Sequence, residues 1–243
     1  MTYLSVLQHT SADYLGLMED HLEGRGTEFK YYRPFTEGTP LPTPENVGDG
    51  LIVLGGGPWG TAGGRDIPSL KKELDLVHNC IMTGKPVLAV GAGTQLLAMA
   101  AGGGSEDAPL EFKVETARRV VDDALGGMMP ETFPMVSYMR DRPVLPDYAK
   151  VLAEDEEGHP AVFQVGENCL GFVGHPGVKS AIIEDLIMEF DESAPDPVEK
   201  LAKLAALNNE IEDKLVYLMT GIVNVCGFMK LGGAFMEPVD LDK

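Results

Sequence analysis

With 243 residues, 44% of them hydrophobic and 23% charged, the chain has enough apolar material for a sizeable core and no compositional mark of disorder. Its 38 acidic against 19 basic residues give a formal net charge of −19 at pH 7. Such a surface repels phosphate backbones and anionic lipid, which argues against a nucleic-acid or membrane-surface role.

The opening MTYLSVLQHT has no basic stretch followed by an apolar one, so no secretory leader is expected and the cytoplasm is the expected location. TYLSVLQH reads as a strand. SADYLGLMEDHLEG reads as a helix with Ser11 as N-cap and Gly24 or Gly26 ending it. TEFKYYRP is strand-like again, and a polar, proline-bearing loop over 35–48 leads to GLIVLGGG, a continuous apolar run of the kind buried on both faces of a parallel sheet. Leu70, Leu74, Val77 and Ile81 fall at helical spacing, and KPVLAV returns as a buried strand. This alternation predicts a doubly wound α/β fold, a mostly parallel sheet flanked by helices, with its sites at the carboxyl ends of strands.

Beyond Gly104 the segments are shorter and more polar, and 149–177 reads as a hairpin series with turns at Glu157-Gly158 and Gly166-Glu167. From Val178 strand signals stop. Asp196-Pro197 marks a helix start. Leu201, Leu204, Asn208, Ile211, Leu215, Leu218, Ile222, Val225 and Met229 then recur at spacings of three and four. A seam of this kind, with one buried Asn to fix register, predicts a helical C-terminal extension over 191–243 that pairs with itself or a protein partner, or folds back onto the 1–190 α/β domain. The run 216–229 is too short and too interrupted to span a bilayer.

Four stretches in order, LQH in the first strand, LIVLGGGPWG, GKPVLAVGAGTQLLAMAAGG and GFVGHPG, resemble the landmarks of the class I glutamine amidotransferases, in particular the stand-alone branch similar to the GMP synthase amidotransferase domain. The resemblance covers 2–186 and implies a flavodoxin-like α/β fold. It also implies a thiolate on a strained strand-to-helix turn, a His to take its proton, a Glu to orient that His, and backbone amides as an oxyanion hole. In the family pattern G-x-C-x-G-x-Q, Ala89 takes the first Gly, Gly91 the Cys, Gly93 the second Gly and Gln95 the Gln. In H-P-E, His175 and Pro176 are kept, and Gly177 stands for the Glu. Nucleophile and orienting carboxylate are both missing.

The resemblance therefore implies a degenerate amidotransferase, a pseudoenzyme acting as a binding, regulatory or scaffolding component. A small ligand is expected in a vestigial glutamine pocket formed by Gly56, Gly57, Trp59 and Gln95 beside Gly91 and His175. The indole of Trp59 is expected to fill that pocket, or to stack on a ligand. The competing reading keeps an activity, with Cys169 as a relocated nucleophile or His175 as acid or base in the same pocket. Cys80, Cys169 and Cys226 form no C-x-x-C pair, and His9, His21, His78 and His159 show no ligand spacing. No disulfide, metal or cofactor is expected.

Overall fold

In the computed structural model, residues 2–35 and 40–229 are described. Residues 36–39 of the expected loop and 230–243 of the expected tail lie outside the described residues. In chain order the elements are β1 (Thr2–Leu7), α1 (Met18–Glu23), β2 (Thr27–Tyr32), β3 (Gly50–Val53), α2 (Leu70–Met82), β4 (Val87–Val90), α3 (Gly93–Ala100) and β5 (Gly104–Glu106). There follow β6 (Glu111–Arg119), β7 (Thr132–Met139), β8 (Arg142–Val144), β9 (Lys150–Glu154), β10 (Pro160–Val165) and β11 (Cys169–Phe172), then α4 (Ser180–Glu189), α5 (Pro197–Ala206) and α6 (Asn208–Cys226).

Nine strands form one sheet in the order β2-β1-β3-β4-β11-β10-β9-β6-β7. The five from β2 to β11 are parallel, and the rest add on antiparallel. All residues of β3, β4 and β11 are buried, as their unbroken apolar sequence requires of strands covered on both faces. Alternation divides the side chains between two layers. Leu4, Val6, Ile52, Leu88 and Leu170 face α1 and α6, whereas Leu51, Val53, Val87 and Ala89 face α2 and α3. A third apolar layer joins β6 and β7 to α4 and α5 through Phe112, Val136, Ile183, Leu186 and Leu204.

Two expectations need correction. Residues 11–17 are not helical, and Ser11 caps nothing. Thr10 Oγ1 instead accepts the amides of Ala12 and Asp13, both at 3.2 Å, while Gly16 turns at φ +61° and the Leu17 amide reaches the Gly177 carbonyl at 2.8 Å. Local side-chain bonds have taken the place of the first helical turns. The tail, in turn, breaks at Leu207 into α5 and α6. Its seam faces inward: Leu204, Ile211, Leu215, Leu218 and Ile222 are buried in the chain's own cores, Leu201 is half-buried and Asn208 is exposed. Of the alternatives for the seam, those buried residues take the one in which it folds back onto the α/β domain. Among the described residues no helix is long and apolar enough to cross a membrane.

An ion pair ties the ends of β1 and β3 to α2. His9, just past β1, and Glu73, in the first turn of α2, are fully buried, with Nε2 and Oε2 2.7 Å apart. His9 Nδ1 donates to the Gly55 carbonyl at 2.7 Å, and Ser69 donates to Glu73. Burial alone would lower the His9 pKa. The charge and hydrogen bond of Glu73 outweigh it and hold the imidazole at about 9, while the same partner keeps Glu73 below the usual carboxylate range against its own burial. The pair thereby fixes the glycine turn that follows β3.

Two predictions follow from this packing. A raised histidine pKa stabilises the fold fully below the unfolded value, about 6.5, and that contribution is lost as pH rises through about 9. Urea unfolding between pH 7.5 and 9.5 is expected to show falling stability in the native chain. Glu73→Gln is expected to remove the histidine's share of that slope, leaving the share of the three buried thiols, and to cost about 3–5 kcal/mol at neutral pH. Gly221 of α6 crosses Leu125 so closely that a Cβ would lie 2.5 Å from Leu125 Cβ. Gly221→Ala, which favours an isolated helix by about 1 kcal/mol, is expected to lower the melting temperature instead; a rise would mean that α6 does not seat on the body as described.

Candidate functional site

β4 ends at Val90 and α3 begins at Gly93, so the chain reverses within two residues. Gly91 makes the turn at φ +58°, a left-handed conformation that a residue with a Cβ occupies only under strain. Its amide donates to the Phe172 carbonyl at the end of β11, at 2.9 Å. A Cβ on Gly91 would point at the turn after β3 and lie 3.1 Å from Gly55 Cα. The geometry is that of a nucleophile elbow with a hydrogen atom at its tip. The Thr94 hydroxyl donates to the Gly91 carbonyl at 2.6 Å and so belongs to the first turn of α3.

His175 lies beside the tip, in the loop after β11. Its Nε2 bonds the Tyr14 carbonyl at 2.8 Å, which makes that nitrogen the protonated one, and Nδ1 accepts the Gly177 amide at 3.1 Å. Burial keeps the ring below its ordinary pKa, so it is neutral at pH 7 with both nitrogens engaged. Gly177 has no room for the missing carboxylate: a Cβ there would lie 2.8 Å from Met18 Cγ and 2.9 Å from Met18 N, at the start of α1. Acid–base work by His175 would require both of its hydrogen bonds to break.

Of the other expected pocket residues, Gly56 comes close to the tip, where a Cβ on it would lie 3.3 Å from Ala92 Cβ, but none of Gly56, Gly57, Trp59 and Gln95 lines the cavity beside Gly91. Gln95 is fully buried. Its Oε1 accepts from Thr61 Oγ1 at 2.7 Å, and its Nε2 donates to the Arg140 carbonyl at 2.6 Å. Asp141, held at φ +61°, fastens the same region by accepting the amides of Thr61 at 2.7 Å and Ala62 at 3.0 Å. Trp59 neither fills nor lines the cavity beside Gly91. It packs edge-on against Phe35, ring centroids 5.4 Å apart, with the Arg65 guanidinium 4.7 Å from its ring. Gly56 and Gly57 do form the expected tight turn, with Gly57 at φ +52°. A Cβ on Gly57 would meet Leu186 at 3.1 Å and Phe190 at 3.5 Å. Beyond Phe190, Glu192 pairs with Arg140 and, at 3.0 Å, with Arg65, while Arg140 Nε donates to the Pro58 carbonyl at 2.6 Å. The segment after α4 is strapped across the glycine turn.

Cys169 is at the wrong end of the sheet. It pairs with Val87 at the start of β4, four residues and so about 13 Å of strand rise before the elbow. The even spacing to His175 does put both on one face of an ideal strand, but β11 ends at Phe172. All three cysteines are buried, and burial pushes each thiol up, Cys80 to about 11.

What remains at the elbow is a cavity of about 30 Å³, lined by Gly91, His175, Gly55, Asp13 and the Ile182 and Ile183 side of α4. Asp13 was not singled out from the sequence. It is 5% exposed, and its Oδ2 has no hydrogen-bond partner. Burial raises the carboxyl to about 7 despite the opposing pull of His9 and Thr10. The one available signal was position, a short polar run directly after a strand whose carboxyl end should hold the site. At the β9–β10 turn, exposed Glu157 and His159 bring ligating atoms within 4.8 Å of one another and of Asp155. There Asp155 accepts two backbone amides and Glu157 pairs with Lys113 at 2.9 Å, which accounts for the cluster without an ion.

No protein-family model and no curated protein matches the sequence. Solved structures do match. A glutamine amidotransferase from Thermotoga maritima aligns with a TM-score of 0.77 at 20% identity, covering 93% of this chain and 98% of that one. A glutamine amido transferase from Methylobacillus flagellatus aligns at 0.78 and 19%, covering 98% and 99%. Both alignments reach past residue 186 into the C-terminal helices. The chain has the class I glutamine amidotransferase fold.

Proposed function

We propose that this protein is a non-hydrolytic relative of the glutamine amidotransferases, acting as a binding or regulatory component. The observation that carries the reading is Gly91: the elbow keeps its left-handed turn and its contact with the Gly55 turn, but has no side chain to attack a carbonyl. Covalent catalysis needs a nucleophile within hydrogen-bond reach of a base that a third group orients. Here the base is tied to the Tyr14 and Gly177 backbone, and the space for the orienting group belongs to Met18. Thr94 and the three cysteines are engaged or buried elsewhere.

Access argues in the same direction. The Arg140–Glu192–Arg65 strap and the Leu186 and Phe190 side chains cover the glycine turn where an amide substrate would lie, and the polar groups of Gln95 are used internally. A site retained for binding takes ligands of a different shape from glutamine.

Purified protein incubated with glutamine is expected to release ammonia no faster than buffer. A glutamine-dependent release that disappears in His175→Ala would overturn the reading. Thiol labelling of the folded chain at pH 8 is expected to modify none of Cys80, Cys169 and Cys226 on a timescale at which the urea-unfolded chain labels all three. Fast labelling of Cys169 would restore the relocated nucleophile.

A further inference from the structure

One polar atom at the elbow is left without a partner. The turn that presents it is rigid: Thr10 Oγ1 accepts the Ala12 and Asp13 amides, and Gln8 Nε2 donates to the Asp13 carbonyl. This fixes the Asp13 carboxyl beside Gly55 and against the cavity, with Oδ2 buried and unpaired. A buried carboxylate oxygen without a donor is costly, and in native proteins it marks a missing water, ion or ligand. Three nearby donors are engaged elsewhere. His175 gives its N–H to Tyr14, Gly91 gives its amide to Phe172, and His9 is held by Glu73 and Gly55.

Leu54, Val90, Ile182 and Ile183 give the cavity aliphatic walls, interrupted by Tyr14, Ser137 and Tyr138. Its volume of about 30 Å³ admits a guest of water size or somewhat larger. An ionised carboxylate on a small, partly open cavity favours a compact guest that brings its own N–H donors. Positive charge on that guest compensates the buried carboxylate, and the net charge of −19 concentrates cations around the chain.

We propose that the elbow cavity is an ammonium site, in which Asp13 Oδ2 accepts an N–H from a free ammonium ion or from the ammonium head of a small primary amine. The proposal rests on the binding reading above and names its ligand class. It does not involve glutamine, so ammonia release from glutamine would overturn the function reading while this test still stood on its own.

The test is thermal unfolding of the full chain at pH 8, where the carboxyl is largely ionised, in ammonium, methylammonium, tetramethylammonium or sodium chloride at equal ionic strength. Ammonium is expected to raise the melting temperature with saturating dependence, and tetramethylammonium, which has no N–H, is expected to match sodium. An equal rise with methylammonium assigns the site to a primary-amine head; a rise with ammonium alone assigns it to the free ion. Asp13→Asn is expected to remove the ammonium-specific shift. Equal behaviour in all four salts, as a cavity holding only water would give, overturns the proposal, and so does an ammonium shift that survives Asp13→Asn. Should that variant not fold, nitrogen-15 ammonium NMR on the native chain decides: one slowly exchanging bound ion per chain supports the site, and its absence overturns it.

Discussion

The end of β4 must turn into α3 within two residues while lying against the glycine turn after β3, and the rest of the site depends on that constraint. Only 3.1 Å separates the position of a Gly91 Cβ from Gly55 Cα, and the turn sits at φ +58°. Glycine meets both demands without strain. A nucleophilic residue at this tip carries strain and crowding, which persist in a protein where the surroundings over-determine them and the chemistry uses them. The surroundings are still here. The Gly91 amide is held by Phe172, and the His9–Glu73 pair fixes the Gly55 carbonyl. The elbow has glycine at its tip, the residue that costs least there.

The neighbouring groups fit the same account. His175 keeps its place but shares its two nitrogens with the backbone, and α1 starts where an orienting carboxylate would lie. Gln95, Thr61, Arg140 and Asp141 form an internal network that stiffens the loop over α3. The Glu192 strap joins Arg140 to Arg65 and closes the glycine turn from outside. His175, Gln95, Arg140 and Arg65 are thus engaged with the chain itself. Asp13 Oδ2 alone among these polar atoms is buried and unpaired.

Much of the fold was legible because its signals are local. Continuous apolar runs at 50–54 and 87–90 can only be strands covered on both faces, and Gly158 and Gly166 stand at positive φ where the hairpin turns were expected. The elbow was legible for the same reason, since a glycine between a buried strand and an apolar helix leaves little choice. What was not legible depends on contacts distant in sequence. The seam in α6 reads alike whether it meets a second helix or the sheet; burial of Leu218 and Ile222 against the chain's own strands decides it. Trp59 could not be assigned to Phe35 and Arg65, nor Gln95 to Thr61 and Arg140, because their spacing carries no mark of the partner. Asp13 escaped notice because Thr10 competes for the backbone amides that a helix would have used, and only the resulting turn aims the carboxyl at the cavity.

The central claim is that no side chain at the elbow can form a covalent bond with a glutamine-shaped substrate. The most direct measurement is the intact mass of the chain after prolonged incubation with an electrophilic glutamine analogue. The account predicts an unmodified mass. A one-to-one adduct that forms on the native chain, is suppressed by excess glutamine and maps to a residue beside Gly91 would contradict it.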